Sequence, residues 1–218
     1  MFNRRNISLA AGMATAIALT AGALITSTGT AAADEAVGPA IGDVAPAFTG
    51  TNSNGDDVSL SDFEGKTVVL EWTNADCPFV KKHYDESVKN MQGLQTGAAE
   101  DDVVWISVIS SAPGKQGHVD GATANELTTS RGAAPTHVII DETGDIGRLY
   151  DAKTTPHMFV IEDDQSLAYM GAIDSKKSAN PADIADSTNY VTAALYAVAA
   201  GTPVETTSTK PYGCSVKY

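Results

Sequence analysis

One stretch of the chain, residues 67 to 95, constrains the fold more than any other. It begins with TVVLEW, a β-rich run that is apolar on both faces except for Glu71. Such a run is typical of a strand in a sheet that is covered on both sides. After Cys77, apolar residues recur at helical spacing and predict a helix from Pro78 to about Gln95. A buried strand therefore runs directly into a helix, with a cysteine at the junction.

The rest of the chain continues this alternation of strands and helices. Further buried strands are predicted at residues 103–110 and 137–140, followed by a hairpin over 157–170 and an amphipathic helix over 185–200. Ahead of them, Asn54-Gly55 is a hairpin-turn signal between two short strands. Interleaving of this kind predicts an α/β fold with helices on both faces of the sheet.

The strand–helix junction favours a reactive thiol at Cys77. Pro78 suits the first position of a helix, which makes Cys77 the capping residue. The free N–H groups and the dipole of the helix stabilise a thiolate there, and Lys81, about one turn on, adds positive charge. The negative charge of Asp76 opposes this stabilisation of the thiolate. The alternative is a small buried hydrophobic residue, which is a common role for a free cysteine.

Residues 1–33 are interpreted as a cleaved signal peptide. Two arginines precede an uncharged apolar run, which ends in small residues with a cleavage pattern after Ala33. The interpretation predicts an exported protein, periplasmic or extracellular, with a domain at 34–205 and a tail at 206–218. No segment after residue 33 reaches the ~20 apolar residues that a membrane span needs. Export would place the cysteines in an oxidising compartment.

The charge of the chain excludes some partners. Lysine and arginine number 14 against 27 acidic residues, a net charge of −13, and loss of Arg4 and Arg5 with the signal peptide takes it to −15. This charge argues against nucleic acid and anionic membrane surfaces. The sequence shows no glycine-rich nucleotide-binding pattern, and we expect no cofactor.

Three segments carry a resemblance to a known family. VVLEWTNADCPFVKKHY resembles the active-site strand and helix of the thioredoxin superfamily, and TTPHMFVI resembles its cis-proline loop, with GAID following in the expected order. From about residue 40 to GCSVKY, the chain is similar to exported, peroxiredoxin-like redoxins related to alkyl hydroperoxide reductase/thiol-specific antioxidant proteins. The resemblance implies a thioredoxin-like fold with a central mixed sheet, and thiol-dependent redox activity. The implied partners are a thiol/disulfide protein or a small peroxide, and an external dithiol reductant.

The resemblance also implies roles for individual residues. Cys77 matches the nucleophilic cysteine, and Val80 stands where a thioredoxin carries its second cysteine. Glu71 matches a buried acid that thioredoxins use for proton transfer. In a doubly covered strand this carboxyl needs a partner or a raised pKa. An edge-facing carboxylate is the alternative.

A substrate-binding segment is implied around the matching proline. Pro156 matches the cis-proline, and Thr155 precedes it in a segment that offers backbone groups to an incoming chain. X–Pro bonds are the usual place for a cis peptide, although a trans turn is the alternative. His157 follows and could approach the thiol. Cys77 and His157 alone are too few ligands to favour a copper carrier, and we expect no metal site.

The chain departs from the peroxiredoxin pattern. In the motif Pro-x-x-x-Thr-x-x-Cys, Leu70 occupies the proline position and Asn74 the threonine position. The segment that matches the peroxiredoxin arginine has none, and nothing in the sequence places Arg131 or Arg148 at the thiol. An efficient peroxide-reducing site is therefore in doubt.

The second cysteine, Cys214, lies in the tail. An even cysteine count in an exported protein suggests pairing. Our hypothesis is that Cys214 resolves the sulfenic acid or mixed disulfide formed at Cys77. One alternative is a permanent disulfide in a non-enzymatic, thioredoxin-like binding module. The other is that the two cysteines never meet.

Overall fold

A computed structural model describes residues 38–218, and the predicted signal peptide lies outside them. The strands are β1 (Thr49–Thr51), β2 (Asp57–Ser59), β3 (Val68–Trp72), β4 (Val104–Ile109), β5 (His137–Ile140), β6 (Thr154–Thr155), β7 (His157–Ile161), β8 (Leu167–Gly171) and β9 (Cys214–Ser215). The α-helices are α1 (Pro78–Tyr84), α2 (Asn90–Glu100), α3 (Gly121–Ser130), α4 (Asp145–Leu149) and α5 (Tyr190–Ala199). Among residues 38–218, no helix has the length and apolar character to cross a membrane.

The central sheet has the strand order β5-β4-β3-β7-β8. Strand β3 lies in the middle, parallel to β4 and antiparallel to β7, and every residue of it is buried. The outer pairs are parallel for β4 and β5 and antiparallel for β7 and β8. The sheet is therefore mixed, and the apolar pattern of TVVLEW reflects its central, doubly covered position.

Helices cover both faces of this sheet, which confirms the predicted α/β architecture. On one face, Val69 packs in a cluster with residues of α1, α2 and α5. On the other, Leu70 and Trp72 pack with α4 and with strand β2 of the N-terminal hairpin. That hairpin turns at Asn54-Gly55, as predicted, and Gly55 takes the positive φ of 89° that the turn requires.

The single helix predicted from Pro78 to Gln95 is wrong. The structure has two helices, α1 and α2, separated by residues 85–89. Asp85 Oδ1 accepts a hydrogen bond from the Ser87 N–H at 2.9 Å, a local bond that competes with helix continuation. Lys89 then takes a left-handed φ of 47°. After the break, Met91 and Ala98 of α2 pack in the core.

The tail, residues 206–218, is docked along the domain. Ser208 bridges Met170 at the end of β8, β9 pairs antiparallel with β6, and Lys217 bridges Ser111 after β4. The tail thus crosses the domain at the edge of the central sheet where β3, the strand before α1, ends. The sequence of the tail has little periodicity and did not predict this path, because the contacts are with backbone that is distant in sequence.

Acid should weaken the fold through His157. Burial lowers the pKa of this histidine from 6.5 to about 4, against the opposing pull of Asp151. Its folded pKa lies below the unfolded value, so the stabilisation present above about pH 6.5 is lost as the pH falls toward about 4. We expect wild type to lose on the order of 3 kcal/mol of unfolding free energy across that window from this group.

Denaturant unfolding at several pH values measures this loss. The control is His157→Gln, which keeps a polar side chain without the titration. The variant should lose less stability in acid than wild type, and equal losses in the two proteins would contradict the assignment.

Candidate redox site

Cys77 caps helix α1, as its sequence position predicts. Its backbone is extended, Pro78 occupies the first helical turn, and the Cys77 carbonyl accepts hydrogen bonds from the N–H groups of Val80 (3.0 Å) and Lys81 (2.9 Å). The side chain makes no capping bond. The described hydrogen bonds of the sulfur are made with other segments of the chain.

Those partners belong to the predicted cis-proline loop and to the tail. The Cys77 thiol donates to the Thr155 carbonyl at 3.1 Å, and the Cys214 N–H donates to Cys77 Sγ at 3.4 Å. Both cysteines are free thiols, with Cys77 fully buried (0% exposed) and Cys214 half-buried. The Cys77 sulfur is thus enclosed between the loop and the tail.

The tail pairs with the backbone just before Pro156. The Thr155–Pro156 peptide is cis, as the resemblance implies, and Thr155 is the register partner of Cys214 in the β6–β9 pair. Gly213 approaches so closely, at a φ of 138°, that a Cβ there would clash with the Thr155 carbonyl oxygen. The position that the resemblance reserves for an incoming chain is therefore occupied by the protein's own tail.

The two thiols differ in acidity. Burial raises the pKa of the Cys77 thiol, but hydrogen bonds outweigh it, first those from the side chain and backbone of Cys214 and then that from the Val80 backbone, so the pKa lies below its ordinary value. Burial and the neighbouring Cys77 raise the pKa of Cys214 to about 11. Cys77 is therefore the more acidic thiol of the pair and ionises before Cys214.

Glu71 lies in the middle of β3, buried rather than at an edge. Its carboxylate accepts hydrogen bonds from Tyr84 Oη (3.0 Å), Trp105 Nε1 (2.9 Å), Ser107 Oγ (3.1 Å) and Gln95 Nε2 (3.2 Å). Burial nevertheless raises its pKa, with the bonds from Trp105 and Tyr84 opposing. The carboxyl has the partners that its buried position requires, and the Cys77 sulfur is not one of those described.

Two other predicted site residues lie apart from the sulfur. The Lys81 side chain is exposed. His157 is buried at the start of β7, where its Nδ1 accepts from the Lys153 N–H at 3.3 Å. Neither is among the described hydrogen-bond partners of the thiol, so their roles stay predictions.

Sequence reasoning missed a buried polar group beside the site. Lys82, which follows the exposed Lys81 on α1, is buried. Its Nζ donates to Asp174 Oδ2 at 2.9 Å and to Tyr212 Oη at 3.3 Å, and Tyr212 Oη donates to Asp174 Oδ1. A lysine pair on a helix is ordinarily exposed, and the partners are remote in sequence, so no local signal could have revealed it.

The arginines and the metal-ligating residues do not converge on the thiol. Arg131 stacks over the Tyr84 ring at 4.2 Å, and Arg148 over the Tyr218 ring at 4.6 Å. Within residues 38–218 there is no cluster of three or more histidine, cysteine or acidic residues that could hold a metal ion.

Residues 41–170 match the AhpC/TSA family, and the chain belongs to that family. This is the redoxin family that the motifs around Cys77 and Pro156 indicated. None of the curated proteins matches the chain.

Solved structures support the same fold. An uncharacterized conserved protein from Geobacillus kaustophilus is 25% identical with a TM-score of 0.67, over 82% of this chain and 92% of that one. A hypothetical protein from Sinorhizobium meliloti is 21% identical with a TM-score of 0.65, over 82% and 94%. The thioredoxin domain of a thiol-disulfide oxidoreductase from Bacteroides vulgatus is 16% identical, over 67% and 96%, with a TM-score of 0.48. The mixed central sheet, the helices on both of its faces and the cis Thr155–Pro156 peptide match the thioredoxin-like fold that the resemblance implies.

Gly213→Ala should release the tail from the cis-proline loop. The substitution puts a Cβ against the Thr155 carbonyl and forces an L residue into a conformation that costs about 1–2 kcal/mol. We expect alkylation of reduced Cys77 by iodoacetamide to be roughly tenfold faster, in proportion to the undocked fraction. The control is Gly201→Ala, which also has a positive φ (63°) but has open space around its Cβ. An unchanged Cys77 rate would contradict the enclosure of the thiol by the tail.

Cys214→Ala should raise the pKa of Cys77. The side chain of Cys214 is the main hydrogen-bond source that lowers it. The matched control, Cys214→Ser, keeps a hydroxyl donor, and both variants leave Cys77 as the sole cysteine. Titration by ultraviolet thiolate absorbance should give a higher pKa in the alanine variant than in the serine variant. Equal values, or the reverse order, would show that the Cys214 side chain does not stabilise the thiolate.

Proposed function

We propose that the protein is an exported thiol–disulfide redox protein in which Cys77 and Cys214 form and release an intramolecular disulfide. The observation that carries the proposal is the pairing of Thr155 with Cys214, which sets the Cys214 N–H against the Cys77 sulfur. Membership of the AhpC/TSA family supports thiol chemistry, and the interpretation of residues 1–33 supports export.

The reaction begins with the Cys77 thiolate. It attacks one sulfur of a substrate disulfide, that S–S bond breaks, and the other substrate sulfur leaves as a thiolate that takes up a proton. Cys214 then loses its proton, attacks Cys77 Sγ of the mixed disulfide and releases the second substrate thiol. The substrate gains two electrons and the protein becomes the Cys77–Cys214 disulfide, which an external dithiol reductant restores.

The burial of Cys77 gives the tail a second role. A substrate sulfur reaches Cys77 only when β9 leaves β6, and the segment at Thr155 and Pro156 is then free to pair with the incoming chain. Return of β9 brings Cys214 back to the sulfur of the mixed disulfide. The tail thus alternates with the substrate at one backbone site, and its return is the resolving step.

The other predicted residues take supporting roles in this proposal. Glu71, with its raised pKa, is the buried acid of the resemblance that exchanges a proton with the cysteine pair. His157 lies next to the cis-proline, and the exposed Lys81 adds a positive charge on the helix that Cys77 caps. The positions of Arg131 and Arg148 make a peroxide substrate the less favoured alternative.

Activity assays on cysteine variants test the proposal. With a dithiol reductant, wild type should reduce insulin disulfides, and Cys77→Ser should abolish this activity. When the dithiol reductant is left out, Cys214→Ser should accumulate the mixed disulfide at Cys77, because the variant has no second thiol to resolve it. Hydrogen peroxide in place of insulin identifies a peroxidase if it is the faster oxidant. Full biological function of the double Cys→Ser variant would overturn the proposal in favour of a binding module.

A further inference from the structure

We propose that Lys82, Asp174 and Tyr212, together called the Tyr212 anchor, are positioning residues for the resolving cysteine. The inference rests on the proposed function, because it assigns the residues that hold Cys214 within reach of Cys77. None of the three touches the reacting sulfur atoms in the described contacts. They act through the tail, whose placement they fix.

The anchor is a closed set of buried polar contacts. Lys82 Nζ donates to Asp174 Oδ2 (2.9 Å), to the Lys176 carbonyl (2.9 Å) and to Tyr212 Oη (3.3 Å), while Tyr212 Oη donates to Asp174 Oδ1. The Lys82 and Asp174 side chains are 0% and 1% exposed. Removing two charges from water is costly, and a hydrophobic pair often gives equal stability. A buried ion pair of this kind is better explained by the geometry it imposes than by the stability it adds.

That geometry joins the tail to the element that carries Cys77. Lys82 lies on α1, which Cys77 caps, and Asp174 follows β8. Within residues 201–218, Tyr212 is the buried residue of the tail, and its ring packs edge-on against Phe79 of α1 at 5.8 Å. The anchor therefore ties the tail to α1 two residues before Cys214.

The residues directly after Tyr212 fix the tail at a second point. Gly213 lies against the Thr155 carbonyl, and Cys214 is in register with Thr155. The approach of Cys214 to Cys77 is thus fixed by the anchor on the α1 side and by β6 on the other. Holding two reacting groups together in this way raises their effective concentration and favours the intramolecular step over attack by an external thiol.

His83 also lies against the Tyr212 anchor. Its Nδ1 accepts from Asn90 Nδ2 at 2.9 Å, and its Nε2 lies 3.5 Å from Tyr212 Oη and 3.8 Å from Asp174 Oδ2. The tyrosine hydroxyl is therefore surrounded by Lys82, Asp174 and His83. Such a pocket selects a phenol at position 212 over a phenyl ring, since only the phenol has an oxygen to place there.

The test is the equilibrium of the cysteine pair with glutathione in Tyr212→Phe. The variant keeps the ring against Phe79 and removes the hydroxyl that joins the tail to the buried charges. Loss of a hydrogen bond to a charged group should lower the ratio of Cys77–Cys214 disulfide to dithiol by about tenfold at fixed glutathione potential. A tenfold lower ratio corresponds to a rise of about 30 mV in the reduction potential of the cysteine pair.

The matched control is Tyr150→Phe. Tyr150 is equally buried, and its hydroxyl donates to the Pro46 carbonyl, on the N-terminal segment rather than on the tail. The control should lower thermal stability while leaving the disulfide ratio unchanged. Circular dichroism on each variant confirms folding, and Tyr212→Ala, which also removes the ring, should shift the ratio at least as far as Tyr212→Phe.

The outcomes separate this inference from the proposed function. A lowered ratio in Tyr212→Phe with an unchanged ratio in Tyr150→Phe supports the anchor. A wild-type ratio in folded Tyr212→Phe overturns the anchor and leaves the proposed function standing. Equal shifts in the two variants also overturn it, because they would reflect general destabilisation. Wild type that forms no Cys77–Cys214 disulfide overturns the proposed function and the anchor together.

Discussion

The pairing of two short backbone segments, Thr154–Thr155 with Cys214–Ser215, is the interaction on which the rest of the site depends. It encloses the Cys77 sulfur, sets the Cys214 N–H on it and supplies the hydrogen bonds that lower the pKa of its thiol. It also occupies the backbone edge to which the proposed function assigns the substrate chain. In the proposed function, a two-residue strand thereby joins the nucleophile, the second thiol and the backbone edge that pairs with the substrate.

A two-residue strand is a weak contact by itself, so its position must be set by its surroundings. Gly213 allows the close approach to Thr155, and Tyr212 reaches back to Lys82 and Asp174. In the proposed function, these contacts place the strand and break together when a substrate enters. A resolving segment needs both properties, because it must leave for the substrate and return to complete the reaction.

The sequence predicted the parts of the fold that local pattern determines. The run ending at Trp72, which is apolar on both faces, indicated a central strand, and Pro78 placed Cys77 at the start of a helix. The break at residues 85–89 was missed, because a side-chain bond at Asp85 overrides an apolar periodicity that continues through it. The burial of Lys82 was missed for another reason. Its partners Asp174 and Tyr212 lie 92 and 130 residues away in sequence, and only the tertiary fold brings them together.

A redox titration of the purified mature protein tests the central claim most directly. Defined thiol/disulfide buffers set the potential, and alkylation with peptide mapping reports the state of Cys77 and Cys214. The account predicts a Cys77–Cys214 disulfide that equilibrates above roughly −300 mV, because a turnover intermediate must be reducible. A bond that resists reduction well below that potential would make the pair structural, and the absence of any such bond would remove the resolving role of Cys214.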